Sequence, residues 1–385
     1  MIPNFFQFHL PTKILFQAGL AKDFSNELAQ LGVNKILFLT DSYWAKQPVT
    51  QEIIEGLKTA GIEAVEVFSD IPPNSELKVV HQATELGKKI EADGIIALGG
   101  GSVMDTAKAA NILLSLGGDL VNDYSGTQTI TSDLKPLIVI PTTSGTGSEV
   151  TKVAVIYDAE HEVKLAFVDT HLYPTLAILD PELTLTMPPQ LTAMTGMDAL
   201  THAIESYTSQ EQNSFSHALA KHAIQLVVEN LPLATKEGSN LEARSALLVA
   251  SNLAGVAFDH AMVGIVHSMS HSVGAVSHVP HGLANSILLP YGMEYNFELC
   301  ESQYADLAFS LGALEQSGKA ALKSVYALRA QLKEICGLPD SLKEAGVKEE
   351  DLPRVAQLAV EDGSSFYNPK EVVETEVLET LKKAY

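Results

Sequence analysis

The feature that most constrains the fold is a change in the pattern of apolar residues near residue 185. Before it, short apolar runs alternate with helical segments; the clearest runs are KILFLT (35–40), AVEVFSD (64–70), GIIALGGGS (94–102), LIVIPTT (137–143) and LAILD (176–180). This alternation predicts a mostly parallel sheet with helices on both faces. After the MPP sequence at 187–189 only helical segments follow. The sequence therefore predicts an α/β domain over residues 1–185 and an all-α domain over residues 186–385.

The acidic composition of the chain limits its partners. Its formal net charge at pH 7 is −22, so nucleic acid and anionic membrane surfaces would be repelled. The first residues, MIPNFFQFHLPTK, do not resemble a signal peptide, and no apolar run reaches the roughly eighteen residues of a membrane span. Two cysteines offer no disulfide framework. We therefore expect a cytoplasmic protein that binds neither nucleic acid nor membrane.

The sequence GGGSVMDTAK, at 99–108, is a candidate phosphate-binding turn. An apolar run leads into three glycines, whose missing Cβ lets a ligand approach the backbone closely. Ser102 is predicted to cap the helix that begins there, with Asp105 in the capping-box position, and the helix dipole favours a pyrophosphate. The turn departs from the GxGxxG fingerprint because Met104 replaces its third glycine. Two interpretations therefore stay open, a phosphate site and an ordinary tight turn.

A second loop, PTTSGTGSEVT at 141–151, is rich in hydroxyl groups and follows the apolar run LIVI. Such a loop can wrap closely around a ligand and offer hydroxyl and amide donors. A purely structural loop rarely needs so many of these residues in succession. The loop is therefore predicted to contact a ligand.

Asp41 ends the run KILFLT, at the predicted carboxyl edge of the sheet, where ligands of such folds gather. A carboxylate there can accept hydrogen bonds from both ribose hydroxyls of an adenosine and would repel a 2′-phosphate. The alternative is a turn aspartate, because Asp41-Ser42 is typical of a turn. The residues alone do not choose between the two.

A cluster of metal-ligand residues lies in the second half of the chain. In GMDALTHAIE (196–205), Asp198 and His202 are four residues apart and so share one helix face. In GIVHSMSHSVGAVSHVPHG, His267 and His271 repeat that spacing and His281 follows. One carboxylate and three imidazoles suit Zn²⁺ or Fe²⁺. An isolated histidine is usually an ordinary core or surface residue, but these are concentrated among Gly, Ser and Ala.

Together these motifs resemble the iron-containing (group III) alcohol dehydrogenase family. GGGSVMDTAK, PTTSGTGSEVT, GMDALTHAIE and GIVHSMSHSVGAVSHVPHGLAN stand in the family's order and span nearly the whole chain. The resemblance implies a dinucleotide-binding first domain and a metal-binding, catalytic second domain. It implies hydride transfer between NAD and a primary alcohol, diol or hydroxyacid, which interconverts alcohol and aldehyde. One divalent cation, Fe²⁺ or Zn²⁺ in its place, would take part.

The resemblance also implies roles for individual residues. The implied metal ligands are Asp198, His202, His267 and His281. The implied cofactor contacts are Asn74, Gly100, Gly101, Ser102, Thr142, Thr143, Thr146 and Lys164, with Asp41 selecting NAD over NADP. His271 is expected to handle a proton or contact the nicotinamide, or else to hydrogen-bond the ligands from outside. Lys164 would lie near the nicotinamide ribose, unless it is a solvated lysine between two strands.

Apolar residues alternate at Phe6, Phe8 and Leu10 and continue with the run Ile14–Phe16, which predicts two short strands around Pro11. Members of the family commonly form dimers or larger assemblies, and such exposed strands could pair between copies. A homodimer or larger homo-oligomer is therefore expected.

Three rival functions remain. Polyol oxidation like that of glycerol dehydrogenases is the nearest. A lyase like the 3-dehydroquinate synthases would need basic residues for a polyanionic substrate, yet MDALTHAIESYTS and HSMSHSVGAVSH contain no Lys or Arg. A non-catalytic metal-binding protein would not need the two upstream loops. The motifs therefore favour an oxidoreductase with a small alcohol or aldehyde as substrate.

Overall fold

The protein is described by a computed structural model that covers residues 4–161 and 163–385, so residues 1–3 and 162 of the predicted first domain lie outside the described chain. The chain forms two compact units. The α/β unit consists of Leu10–Thr143 and Ser148–Thr184. The helical unit consists of the described residues before Leu10, together with Ser144–Gly147 and Leu185–Tyr385. The predicted fold class, an α/β part followed by an all-α part, is confirmed.

The strands all lie in the α/β unit. They are β1 (Lys13–Phe16), β2 (Lys35–Thr40), β3 (Ala64–Phe68), β4 (Gly94–Gly99), β5 (Gly126–Thr127), β6 (Leu137–Pro141), β7 (Val153–Asp158), β8 (Val163–Val168) and β9 (Leu176–Leu179). Six form one sheet in the order β1-β9-β6-β4-β2-β3, and every neighbouring pair in it is parallel. A smaller sheet has the order β5-β8-β7, with β7 and β8 antiparallel.

Helices cover both faces of the large sheet. They are α1 (Ser25–Leu31), α2 (Pro48–Thr59), α3 (Leu77–Lys89), α4 (Gly101–Ser115) and α5 (Leu120–Tyr124). Side chains of β2 alternate between two separate apolar clusters, with Leu37 and Leu39 in one and Ile36 and Phe38 in the other. Because both faces are buried, the strands appear in the sequence as continuous apolar runs and not as alternating ones.

The helical unit has no strand among its described residues. Its helices are α6 (Pro189–Thr208), α7 (Ser214–Lys236), α8 (Leu241–Ala261), α9 (Ile265–Ser277), α10 (His281–Tyr295), α11 (Phe297–Leu307), α12 (Gly318–Cys336), α13 (Leu352–Glu361) and α14 (Glu374–Ala384). By length and composition α8 could cross a membrane, but 61% of its most apolar window is buried. Its apolar side chains, Leu247 and Ala254 among them, pack in the core of the helical unit.

The N-terminal segment differs from the prediction. Only β1 is formed there, and the segment before Pro11 is not a strand. The Phe8 ring instead stacks on Phe215 and on His260, with ring centres 4.8 and 4.2 Å apart. The His9 N–H donates to His260 Nε2 at 3.0 Å. The alternating pattern reflects aromatic packing against helices α7 and α8, so the prediction of a strand before Pro11 is wrong.

Candidate metal centre and cofactor-binding edge

Helix α6 supplies the first part of the candidate metal centre. Asp198, His202 and Glu205 occupy positions i, i+4 and i+7, which place them on one face of the helix. All three side chains are buried. The helix can begin where it does because Pro189 stands in its first turn, where a proline costs no hydrogen bond.

The candidate ligands come together from three helices. The ligand atoms of Asp198, His202, His267 and His281 all lie within 4.8 Å of one another. Ligands at about 2.0–2.2 Å from one cation lie roughly 3–4.4 Å apart, so small shifts would close this set around an ion. The first three are buried, whereas the His281 side chain is 29% exposed. The donor set fits a divalent cation that is approached from the side of His281.

Burial shifts the pKa values of Asp198 and His202 in opposite directions, and the shift of His202 suits a metal site. Burial raises the pKa of Asp198, an effect that the His267 charge and an Asn285 hydrogen bond partly offset. Burial, with the His267 charge, holds the pKa of His202 well below its ordinary value. His202 therefore stays neutral near pH 7, the form in which an imidazole binds a cation.

Glu205 is a residue of this centre that the sequence analysis missed. Its Oε2 accepts from His267 Nδ1 at 2.6 Å, and its Oε1 accepts from the Val266 N–H at 2.7 Å. Burial lowers the pKa of His267, but the hydrogen bond and charge of Glu205, with the charges of Asp198 and Asp362, outweigh it, so that this pKa lies above its ordinary value. The signal was present in GMDALTHAIE, because Glu205 continues the Asp198–His202 face by one further turn.

Asn285 is the second missed residue. It is fully buried on α10, one turn after His281, and its Nδ2 donates to Asp198 Oδ1 at 2.6 Å. The same nitrogen lies 3.1 Å from His281 Nε2 and 3.3 Å from His267 Nε2. Its Oδ1 has no hydrogen-bond partner among the described residues. A buried amide oxygen without a partner is costly, which is consistent with a centre completed by a further group.

His271 lies beside the four ligands and not among them. Its ring stacks on that of His281, with centres 5.2 Å apart. Its Nδ1 lies 2.9 Å from Asp362 Oδ2, a contact in which the carboxylate accepts. Burial raises the pKa of Asp362, but the charge and hydrogen bond of His271 and the hydrogen bonds of Ser364 together outweigh it, so this pKa lies below its ordinary value. The hydrogen bond between His271 and Asp362 orients the ring and uses Nδ1, so Nε2 is the ring nitrogen that this bond does not occupy.

The cofactor candidates follow neighbouring parallel strands. Asp41 comes directly after β2, Gly100 after β4 and Thr142 after β6, and these three strands are adjacent in the order β6-β4-β2. Carboxyl ends of parallel strands share one edge of the sheet, where α/β folds bind ligands. The Thr142 N–H donates to the Gly99 carbonyl at 3.1 Å, which holds two of the loops together.

The predicted capping box at α4 is wrong. Gly100, and not Ser102, is the cap residue, and it makes no side-chain cap hydrogen bond. Ser102 Oγ accepts from the Asn74 N–H at 3.2 Å, while Asp105 accepts from Ser148 Oγ and the Val155 N–H. The side chains expected to cap α4 therefore tie neighbouring loops to it, and its first turn, including Gly101, is left without a side-chain cap.

The remaining cofactor candidates have distinct surroundings. Asp41 Oδ1 accepts from the N–H groups of Tyr43 and Trp44, both at 2.9 Å, as a turn aspartate would. Lys164 lies on β8, and its positive charge acts to lower the pKa of Asp105 on α4. Thr143 packs close to Gly100: a Cβ at that glycine would lie 3.2 Å from Thr143 Oγ1.

Thr146 belongs to the helical unit, in the segment Ser144–Gly147. That segment packs tightly there, because a Cβ at Gly147 would lie 2.5 Å from the Gly255 Cα. The structure thus divides the hydroxyl-rich loop, with Thr142 and Thr143 in the α/β unit and Thr146 in the helical unit.

Comparisons with known proteins cover both units. The family described as "Iron-containing alcohol dehydrogenase" matches residues 11–181, and that described as "Fe-containing alcohol dehydrogenase family, C-terminal" matches residues 192–385. The NAD-dependent methanol dehydrogenase of Bacillus methanolicus is 36% identical over 380 residues, which are 98% of this chain and 99% of the relative. The 1,3-propanediol dehydrogenase of Citrobacter freundii is 39% identical over 360 residues, 92% of each chain. A crystal structure of 1,3-propanediol oxidoreductase superposes with a TM-score of 0.94 at 36% identity, covering 99% of this chain and 100% of that one.

Proposed function

Because the chain belongs to the iron-containing alcohol dehydrogenase family, we propose that Asp198, His202, His267 and His281 hold the cation at which its substrate reacts. The enzyme is a metal-dependent oxidoreductase that transfers a hydride between an alcohol and NAD and so interconverts alcohol and aldehyde. The observation that carries the proposal is the grouping of these four ligand atoms within 4.8 Å.

A divalent cation bound there would polarise the alcohol or aldehyde oxygen, and NAD would accept or return the hydride. The residues of the chain supply the rest. His202 is kept neutral by burial, and Glu205 holds His267. Three of the ligands are buried, which would keep water from them, and substrate would approach at the partly exposed His281. Fe²⁺ is the proposed native cation, and Zn²⁺ would suit the same donor set.

His271 is proposed as the residue that passes the alcohol proton to solvent. Asp362 accepts at Nδ1, so Nε2 keeps a lone pair that can take a proton. The ring is partly exposed, with 31% of the side chain accessible, and can exchange that proton with water. Its stacking on His281, a proposed ligand, would keep it close to an alcohol bound at the cation.

The NAD contacts are proposed on the carboxyl edge of the sheet. The first turn of α4 would receive the pyrophosphate, because helix N-termini without a cap side chain bind anions. The proposed contacts there are Asn74, Gly100, Gly101 and Ser102. Thr142, Thr143, Thr146 and Lys164 are proposed along the rest of the cofactor. Asp41 would accept from the ribose hydroxyls through Oδ2, since the turn uses Oδ1.

The direct test of the metal site is the variant His267→Ala. We expect it to lose stoichiometric metal and turnover while circular dichroism and solubility stay close to wild type. Metal content by emission spectroscopy and activity with NAD and a series of alcohols are the measurements. Full metal content and activity in this variant would refute the proposed ligand set.

The finer properties proposed concern substrate, assembly and location. Short primary alcohols and diols are proposed as substrates, since the named substrates of similar proteins include methanol and 1,3-propanediol.

A homodimer or larger assembly is proposed through β1, an edge strand whose Phe16 is 47% exposed. Light scattering that gives only the 41.3 kDa of one chain would contradict this assembly. Two unpaired cysteines, Cys300 and Cys336, support a cytoplasmic location.

A further inference from the structure

Helix α9 carries His267 in its first turn, and the cap of this turn comes from another helix. Gly264 is the cap residue and makes no side-chain hydrogen bond. Instead the Val266 N–H donates to Glu205 Oε1 at 2.7 Å, and the His267 N–H points to Glu205 Oε2 at 3.3 Å. The Glu205 carboxylate, more than sixty residues earlier in the chain, therefore caps the start of α9 in place of a side chain at the cap position.

The same carboxylate decides which nitrogen of His267 carries a proton. Glu205 Oε2 lies 2.6 Å from His267 Nδ1, and an ionised carboxylate only accepts, so Nδ1 must donate. Nε2 then keeps its lone pair and faces the centre, 3.3 Å from Asn285 Nδ2. A cation binds only the nitrogen that carries no proton. One side chain thus places the helix and selects the nitrogen that it presents.

The surroundings of Glu205 present hydrogen-bond donors to both of its carboxylate oxygens. The residue is 5% exposed, and no lysine or arginine pairs with it among the residues that the structure describes. Its charge is balanced by the helix terminus and by the His267 ring. A glutamine of the same shape cannot replace it, because its NH₂ would face either the Val266 N–H or His267 Nδ1. Either the cap or the tautomer would then be lost.

We infer that Glu205 is a positioning residue, which fixes the start of α9 and holds His267 in the tautomer that binds metal. This inference rests on the proposed metal site. It assigns no direct contact between Glu205 and the cation. Its effect passes through His267, and it should therefore appear in metal affinity before it appears in substrate binding.

The test compares Glu205→Gln with wild type after removal of metal. Zn²⁺ affinity is measured at pH 7 by competition with a chromophoric chelator. We expect the variant to bind Zn²⁺ about 10- to 100-fold more weakly, the range seen when the outer partner of a metal-bound histidine is removed. Unchanged affinity in the variant would overturn the inference.

Asn368→Ala is the matched control. Asn368 Oδ1 accepts from the Ile265 N–H of the same helix terminus at 3.1 Å, and the hydrogen bonds of Asn368 among the described residues do not include His267. It also bonds to Asn296, so its loss should destabilise the metal-free protein at least as much as Glu205→Gln. We expect this control to keep Zn²⁺ affinity of the wild-type order of magnitude. Equal losses of affinity in both variants would mean that Glu205 acts only through stability, and the inference would fail.

Two further measurements separate the possible failures. In the same titration, full metal binding by His267→Ala would refute the proposed metal site itself. Loss of binding there with unchanged affinity in Glu205→Gln would refute only the role of Glu205. The second is ¹⁵N NMR of the histidine rings of metal-free wild type, with the His267 signals identified by their absence in His267→Ala. At a pH where the ring is neutral we expect its single proton on Nδ1; a neutral ring with its proton on Nε2 would overturn the inference even if Glu205→Gln does not fold.

Discussion

Helices α4 and α9 begin alike and are completed differently. Each has a glycine at its cap position, Gly100 or Gly264, and neither glycine makes a side-chain cap hydrogen bond. At α9 the first-turn N–H groups are taken by Glu205 and by an asparagine amide. At α4 no described side chain fills that place, because Ser102 turns toward a neighbouring loop instead.

The difference shows two uses of the same terminus. Both helix dipoles favour negative charge at the first turn. At α9 the protein supplies the carboxylate of Glu205, which also bonds to the ring of the proposed ligand His267. At α4 the first turn has no side-chain cap, and this is the turn proposed to receive the phosphates of NAD. A glycine at the cap position of a helix therefore does not show whether the first turn is capped by another residue or left open to a ligand.

The largest expected effect concerns the reactivity of α9. His271→Ala should keep its metal, since the four proposed ligands remain, but lose turnover by about 10²- to 10⁴-fold because a proton carrier is removed. Metal content and the pH dependence of turnover are the measurements. Ser272→Ala on the same helix removes only a hydroxyl bonded to the Ser268 carbonyl and should behave as wild type. If His271→Ala loses metal as His267→Ala does, His271 is itself a ligand.

The second prediction concerns the choice between NAD and NADP at the carboxyl edge of the sheet. Asp41→Gly should erase most of a preference for NAD over NADP of about 30- to 1,000-fold, or about 2–4 kcal/mol of charge repulsion in a partly wet site. Asp41→Asn is the sharper control, since its amide oxygen can still accept from the Tyr43 and Trp44 N–H groups while the charge is gone. Kinetics with both cofactors decide it. An unchanged cofactor ratio in both variants would leave Asp41 as a turn residue only.

The third prediction concerns the replacement of each cap glycine, Gly264 and Gly100, by alanine. In Gly264→Ala the new Cβ would lie 2.7 Å from Asn368 Oδ1 and 3.2 Å from Glu205 Oε1, so the cap must move apart. We expect a loss of about 1–3 kcal/mol in the free energy of unfolding, from strained buried hydrogen bonds. Gly100→Ala has no cap to disturb and should mainly weaken NAD binding. Urea denaturation and NAD titration measure both; equal losses of stability would remove the distinction between the two termini.

The smallest expected effect is on pH dependence after chelation of the metal. His202 has a folded-state pKa well below its value in the unfolded chain, so the unfolded state binds more protons between the two values. Stability should therefore decline as pH falls below about 6.5, the unfolded pKa of histidine. His202→Phe should flatten this decline when urea midpoints are compared across pH. A slope that is the same in wild type and variant would show that other groups cause it.

Prediction from sequence succeeded where the pattern is local. The strands β2, β4, β6 and β9 were found from their apolar runs, because burial on both faces leaves no polar position inside them. The absence of strands after residues 187–189 was also predicted correctly for the described residues. The segment before Pro11 was misjudged because the same alternation serves rings that pack on Phe215. The cap of α4 was misjudged because Ser102 had a competing partner in Asn74.

What the sequence alone determined is the order of the two units and the shared face of Asp198 and His202, since backbone geometry fixes spacing within a helix. The family also follows from the motifs and their order. Only the tertiary structure decided which residues meet across helices. Glu205 reaches α9 across 61 residues of sequence, and Asn285 reaches Asp198 across 87. Such contacts depend on how the helices pack against one another, and the spacing of residues in the sequence does not determine that packing.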